Sequence, residues 1–198
     1  MLATSRAQPL GGGAAGAAPI DYLVCPAERL QVPDAAYDVV LCQQGLPLIP
    51  DRRAALAEMW RALRTGGRVG VAVWAAEHPL GVFGPLIEAV APFLPEPYPY
   101  AFDTQSSAMT AAQLQQVMVS AGFPSALVAT QQVTVVFDSL ESATRIILGT
   151  PFAPGFTAQP EARQAEVRQA LAAAFSRFVV DGHVHCPTVA HIGRATRR

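Results

Sequence analysis

One continuous stretch, residues 37–74, limits what this chain can fold into. It opens with Tyr-Asp-Val-Val-Leu-Cys at residues 37–42 and passes through the loop Gln43-Gln44-Gly45-Leu46-Pro47-Leu48-Ile49-Pro50. A helical pattern over residues 51–64 leads to a break at Gly66-Gly67, and Arg-Val-Gly-Val-Ala-Val-Trp closes the stretch at residues 68–74. Val39, Val40 and Leu41 form an unbroken apolar run, the pattern of a strand covered on both faces. Asp51 suits a helix N-cap, because its carboxylate accepts from free first-turn amides and favours the positive end of the helix. Leu56, Met59, Trp60 and Leu63 recur at i, i+3, i+4 and i+7, so they make one apolar stripe. Arg53, Arg61 and Arg64 fall off that stripe. The glycine pair tolerates positive φ, which ends a helix and turns the chain. Val69, Val71 and Val73 supply a second buried strand. Strand, helix and strand at this spacing predict a parallel pair joined by a right-handed crossover.

The wording of this stretch resembles a known family. Tyr-Asp-Val-Val-Leu-Cys, then Pro-Asp with Ala-Leu-Ala-Glu-Met-Trp-Arg-Ala-Leu-Arg, then Gly-Gly-Arg-Val-Gly-Val-Ala-Val-Trp, is similar to the fourth strand, following helix and fifth strand of class I S-adenosylmethionine-dependent methyltransferases. The small-molecule branch that includes the quinone-biosynthesis methyltransferases resembles it most. Upstream, residues 20–25 (Ile-Asp-Tyr-Leu-Val-Cys) read as a short strand, followed by Pro26-Ala27-Glu28-Arg29-Leu30-Gln31-Val32-Pro33-Asp34. The family has Gly-Asp-Ala-Glu here, and its aspartate accepts from the adenine amino group. In this chain Cys25 and Pro26 replace the first two positions, while Ala27 and Glu28 match. Proline has neither a side-chain acceptor nor an amide hydrogen. Glu28 is then the acidic group left to meet the adenine, or else an ordinary surface glutamate.

The resemblance implies two βα units before residue 20, carrying the Gly-rich cofactor loop and the acidic ribose partner. Each βαβ unit takes about 30 residues, and 19 residues precede Ile20. Those residues are Ala/Gly-rich. Gly11, Gly13 and Gly16 satisfy G-x-G-x-x-G literally, but without the preceding strand and following helix that make the motif bind phosphate. Residues 1–19 therefore read as a low-complexity lead-in. Residues 20–198 read as a partial methyltransferase domain. The expected fold is α/β, a Rossmann-like class I methyltransferase sheet lacking its first two strands, with helices on both faces and an antiparallel C-terminal strand.

Beyond Trp74, residues 75–109 read as a lid-like insertion containing a helix at residues 85–90 and a proline-stiffened segment at residues 94–100. In the resembling family such an insertion lies over a small substrate. Tyr98, Tyr100 and Phe102 either line that pocket or pack the loop onto the domain. Thr110 is placed to cap a helix running to Ser120, with Leu114, Val117 and Met118 inward. Residues 127–137 read as a strand and residues 139–148 as a helix. Residues 161–180 form an amphipathic helix through Val167, Leu171, Ala174, Phe175 and Phe178. Asp181-Gly182 turns the chain into a last strand at residues 183–192, and residues 194–198 read as a basic tail in water.

Bulk properties exclude several functions. Lys and Arg total 14 against 15 Asp and Glu, with a net charge of −1, so there is no basic field for nucleic acid or an anionic membrane. No apolar run approaches the roughly 20 residues of a membrane span. Three cysteines, well separated, do not make a disulfide framework. This pattern fits a reducing, cytoplasmic setting.

Candidate chemistry follows the rule that open α/β sheets bind ligands at the carboxyl ends of their strands. By resemblance, Ala27, Glu28, Gln43, Gln44 and Gly45 hold S-adenosylmethionine, and Trp74, Tyr98 and Tyr100 meet a small, apolar substrate. The glutamines can donate and accept. Methyl transfer asks mainly for positioning and desolvation, and a base only when the acceptor must lose a proton. His78 is the ionisable candidate near the fifth strand. His183, His185, Cys186 and His191 lack the spacing of a zinc site, so no metal is expected. Without the Gly-rich loop, cofactor binding is expected to be impaired. The alternative is a non-catalytic remnant, an interaction module or one piece of a split enzyme. An open sheet edge beside residues 37–42 invites a homodimer.

Overall fold

The computed structural model describes residues 20–78, 81–93, 108–150 and 152–198. Strand β1 (Tyr37–Gln43) leads through a 3-10 turn (Leu46–Leu48) to helix α1 (Arg52–Ala62), which passes directly into strand β2 (Leu63–Ala75). Helix α2 (Phe83–Val90), the short β3 (Ala108–Met109), helix α3 (Ala111–Ser120) and strand β4 (Leu127–Phe137) follow. Then come α4 (Leu140–Thr144), a 3-10 segment (Arg145–Gly149), α5 (Ala153–Thr157), α6 (Glu161–Ser176), β5 (Val179–Val180) and β6 (His183–Thr196).

The sheet runs in the order β1-β2-β6-β4. β1 and β2 are parallel, with Val40 beside Val69 and Cys42 beside Val71. β6 is antiparallel to β2 on one side and to β4 on the other. The parallel pair, its helical crossover and the antiparallel last strand are the expected α/β arrangement. Asp51 caps α1, its Oδ1 accepting from the Ala54 amide at 2.8 Å. Thr110 and Gln113 form a reciprocal capping box on α3.

Two cores lie on opposite faces of the sheet. On one, Leu56, Met59 and Leu63 meet Val69, Val71 and Val73 of β2 and Leu114 and Met118 of α3. Trp60 sits edge-on to Phe123 there, with centroids 4.9 Å apart. On the other, Leu86, Ile147, Leu171 and Phe175 pack over Val184 and Cys186 of β6.

Several sequence expectations need correction. Residues 20–25 are not a strand: their backbone pairs with no other strand. The chain after them is instead tied to α1 by Arg61, which donates to the carbonyls of Leu30 and Val32 at 3.0 and 2.9 Å and pairs with Glu58 and Asp34. Helix α1 stops at Ala62, before the glycines, and Gly66 lies inside β2. The stop comes from the last strand, because the Arg197 guanidinium donates to the carbonyls of Trp60, Arg61 and Leu63 at the helix end. The predicted basic tail is therefore no tail, since β6 runs to Thr196 and Arg197 exchanges backbone hydrogen bonds with Gly66 and Gly67.

Helix α6 ends at Ser176, and Val179–Val180 pairs with β6 across a hairpin. Asp181 and Gly182 both have positive φ, 50° and 80°, which matches the twist of a two-residue hairpin turn. The helix expected over residues 139–148 relaxes into a 3-10 turn after Thr144. Finally, β1 is covered on one face alone. Val40 and Cys42 pack against the first core, while Val39 and Leu41 are 44% and 75% exposed, because no helix of the described residues lies over them.

Candidate functional site

The parallel pair β1 and β2 sets a corner at its carboxyl end. After Gln43 the chain leaves the sheet through Gln44, whose amide still donates to the Ala72 carbonyl at 2.8 Å. Gln44 takes a left-handed backbone, φ 56°, a conformation that costs a non-glycine residue about 1–2 kcal/mol. The loop folds back on Cys42, whose thiol accepts from the amides of Gly45 and Leu46, while burial pushes its pKa up. The result is a tight, part-buried corner. Among the described residues, Gln44 Oε1 is the one buried side-chain nitrogen or oxygen left without a hydrogen-bond partner. Buried acceptors are nearly always paired.

The other predicted residues divide. Ala27 and Glu28 lie in a turn closed by the Arg29 amide on the Pro26 carbonyl. Glu28 Oε1 reaches the Asp51 amide at 3.5 Å, so it sits against the end of the Gln43–Pro50 loop. Trp74 stands at the tip of β2 but packs on Phe83 of α2, with centroids 5.6 Å apart. His78 is exposed just past β2, its amide donating to Ala75. Tyr98, Tyr100 and Phe102 lie outside the described residues. No three His, Cys, Asp or Glu side chains among the described residues cluster as a metal site.

Sequence reading missed one buried constellation beside this corner. His191 of β6 stands opposite Val73 and opposite Thr130. Its Nε2 lies 2.9 Å from Glu77 Oε2 and its Nδ1 lies 3.0 Å from Thr130 Oγ1. Both contacts are satisfied when Nε2–H donates to the carboxylate and Nδ1 accepts the threonine hydroxyl. This hydrogen bond is the main reason the Glu77 carboxyl is held below its ordinary pKa. The pair pins the chain leaving β2 to the last strand. His191 had been weighed only as a metal ligand. Its alternation with Gly193 and Ala195 along β6 marked an inward position, but its partner is 114 residues away. Glu58 was missed as well: hydrogen bonds from Arg61 hold its carboxyl low, and it accepts the Leu30 amide at 2.8 Å.

Comparison with known proteins gives part of this sequence its relatives. Residues 2–71 match a methyltransferase domain model. Over those residues the chain is similar to a methyltransferase domain. A ubiquinone/menaquinone biosynthesis C-methyltransferase UbiE of Xanthomonas oryzae is 45% identical over 51 residues, which cover 26% of this chain and 20% of that protein. The UbiE protein of Xylella fastidiosa is 37% identical over 76 residues, covering 38% of this chain and 29% of that one. A solved structure described as a methyltransferase from an antibiotic biosynthesis pathway of Anabaena variabilis superposes with a TM-score of 0.52 at 11% identity. That match covers 84% of this chain and 70% of the Anabaena chain. It speaks for the fold alone. The stretch of this chain that matches the first curated relative thus spans about a fifth of that protein's length. S-adenosylmethionine is the cofactor of the family. Pro26 has no side-chain acceptor, and Glu28 Oε1 lies 3.5 Å from the Asp51 amide.

Proposed function

We propose that this chain transfers a methyl group from S-adenosylmethionine to a small molecule, with cofactor affinity reduced relative to a domain that holds both ends of the ligand. The observation that carries this reading is the unpaired, buried Gln44 acceptor at the strained corner after β1. Gln44 accepts from the cofactor's ammonium, and Gly45 admits close backbone approach. Ala27 and Glu28 form the neighbouring wall. The cofactor supplies an electrophilic methyl carbon, so the protein's task is to orient and desolvate the acceptor. Trp74, Tyr98 and Tyr100 are assigned to an apolar acceptor. His78 serves as base only for an acceptor that must lose a proton.

Titration calorimetry with S-adenosylmethionine tests this. The expected result is a dissociation constant weaker than about 100 μM, equivalent to less than about 5.5 kcal/mol, and no measurable heat for Gln44→Leu. Micromolar binding would overturn the impairment. No binding at millimolar ligand, together with no labelled methyl transfer to quinone-like acceptors, would overturn the enzyme reading. It would favour a second reading, a methyltransferase fold used as an interaction module. The bare apolar face of the sheet supports that alternative.

A further inference from the structure

The uncovered face of the sheet is more than missing packing. The strand register sets Leu41, Gly70, Arg194 and Leu127 in one row across four strands, with Gln43, Ala72, Ile192 and Ala129 in the next. Val39, Arg68 and Thr196 stand in the adjoining row. Leu41 is 75% exposed, Leu127 60%, Val39 44% and Ile192 38%. Lacking a side chain, Gly70 leaves a depression that Leu41 overhangs, since a Cβ at Gly70 would come within 2.9 Å of Leu41 Cδ2. The resulting groove encloses about 480 Å3 between Val39, Leu41, Arg68, Gly70, Leu127 and Arg194. Isolated exposed apolar residues need no explanation, but a contiguous patch with a charged rim marks an interaction surface.

We propose that this face docks a separate polypeptide through an acidic amphipathic helix. The helical character follows from the layer already present. Helices α2, α4 and α6 cover the far end of this same face, against Val184 and Cys186, and the bare groove continues their layer toward the other end of β2. A sheet face has its backbone groups paired within the sheet, so an occupant meets it with side chains, as a helix does. The acidic character follows from charge. Arg68 and Arg194 flank the groove, neither has an ion-pair partner among the described residues, and none of the side chains in these rows is a carboxylate. A second copy of this chain would bring four arginines together across the contact, which like-charge repulsion opposes. Residues 1–19 contain Arg6 and no Asp or Glu, so they offer nothing for the two guanidiniums. The inference does not rest on methyl transfer, because the groove's lining does not include Gln44.

The test uses two dye-labelled synthetic helical peptides with the same leucine stripe, one flanked by glutamates and the other by lysines. Fluorescence anisotropy on the full chain should show the acidic peptide bound at least about tenfold more tightly, with the preference shrinking as salt rises. The double variant Arg68→Glu, Arg194→Glu should invert that preference. Leu41→Ser should weaken both peptides. All three positions are exposed, and circular dichroism confirms that each variant is folded. Equal affinity for the two peptides, or a preference that survives the charge reversal, overturns the proposal. So does a dimer in sedimentation equilibrium that Leu41→Ser abolishes, which would make a second copy the occupant. Dodecyl phosphate displacing the acidic peptide stoichiometrically would likewise overturn it in favour of a small amphipathic anion.

Discussion

Replacing His191 by alanine removes an imidazole whose side chain is 4% exposed and which is bonded on both sides. Two losses follow, and they differ in size. The first is volume: the ring is buried between its partners Thr130 and Glu77, and a large-to-small change of this kind leaves a cavity costing about 2–3 kcal/mol. The second is hydrogen bonding. Glu77 is 45% exposed and rehydrates once its partner is gone, so the pair is credited with only about 0.5–1 kcal/mol. Thr130 is exposed and rehydrates too. The sum, about 3 kcal/mol, lowers Tm by about 6–12 °C for a chain of this size. Urea unfolding followed by circular dichroism on wild type, His191→Ala, Glu77→Gln and the double variant separates the two losses. The hydrogen-bond part also depends on pH with a definite sign. His191 holds the Glu77 carboxyl below its ordinary value of 4.5, so the carboxylate's contribution is fully present above that value. It is lost as pH falls through the depressed folded value, so the coupling of the two variants should be measurable near neutrality and vanish once acid protonates the carboxylate. The cavity part should not change. A cost below about 1 kcal/mol for His191→Ala, or strictly additive variants at neutral pH, would refute the reasoning.

Two further outcomes follow from the same geometry. Gln44→Gly relieves the positive φ of 56° and should raise stability by about 0.5–1 kcal/mol in urea while abolishing the calorimetric signal for S-adenosylmethionine, a stability–function exchange at one residue. Arg197→Met should cost about 1–2 kcal/mol, because it leaves the carbonyls of Trp60, Arg61 and Leu63 uncapped and removes a guanidinium lying 5.5 Å from the Trp60 ring centre; hydrogen exchange should speed up first in the last turn of α1.

What could be read from the sequence and what could not divide along a physical line. The β1–α1–β2 unit was legible because its determinants are local: an apolar run, a stripe with helical spacing, and a cap within three residues of its acceptor. The cap at Thr110 and the turn at Asp181-Gly182 were legible for the same reason. The errors at residues 20–25 and at Arg197 concerned segments whose state is decided by something distant. Residues 20–25 have strand composition, but a strand exists only beside another, and the residues after them follow Arg61 onto a helix. Arg197 looked like a solvated tail because the helix end it caps lies 134–137 residues earlier. His191 could not be read as the partner of Glu77, which lies 114 residues earlier.

The site shows the same division. Gln43, Gln44 and Gly45 were placed correctly at a strand's carboxyl end, since topology alone puts them there. That Gln44 is the strained residue with the unpaired acceptor depends on a backbone angle that sequence does not encode for glutamine. The bare face behind that corner follows from one misread pattern. An apolar run such as Val39-Val40-Leu41 states that both faces of a strand want cover, and it says nothing about which molecule provides it. In this chain the cover on one side is α1, and on the other the described residues supply none. Cofactor affinity and the free face are then linked through β1, because anything that packs on Leu41 also braces the strand whose end carries Gln44. A helix bound in the groove should tighten S-adenosylmethionine binding without touching it, by the reciprocity that governs two ligands on one strand. The coupling is measurable as a change in cofactor affinity on adding the acidic peptide, and in peptide affinity on adding cofactor, by the same factor.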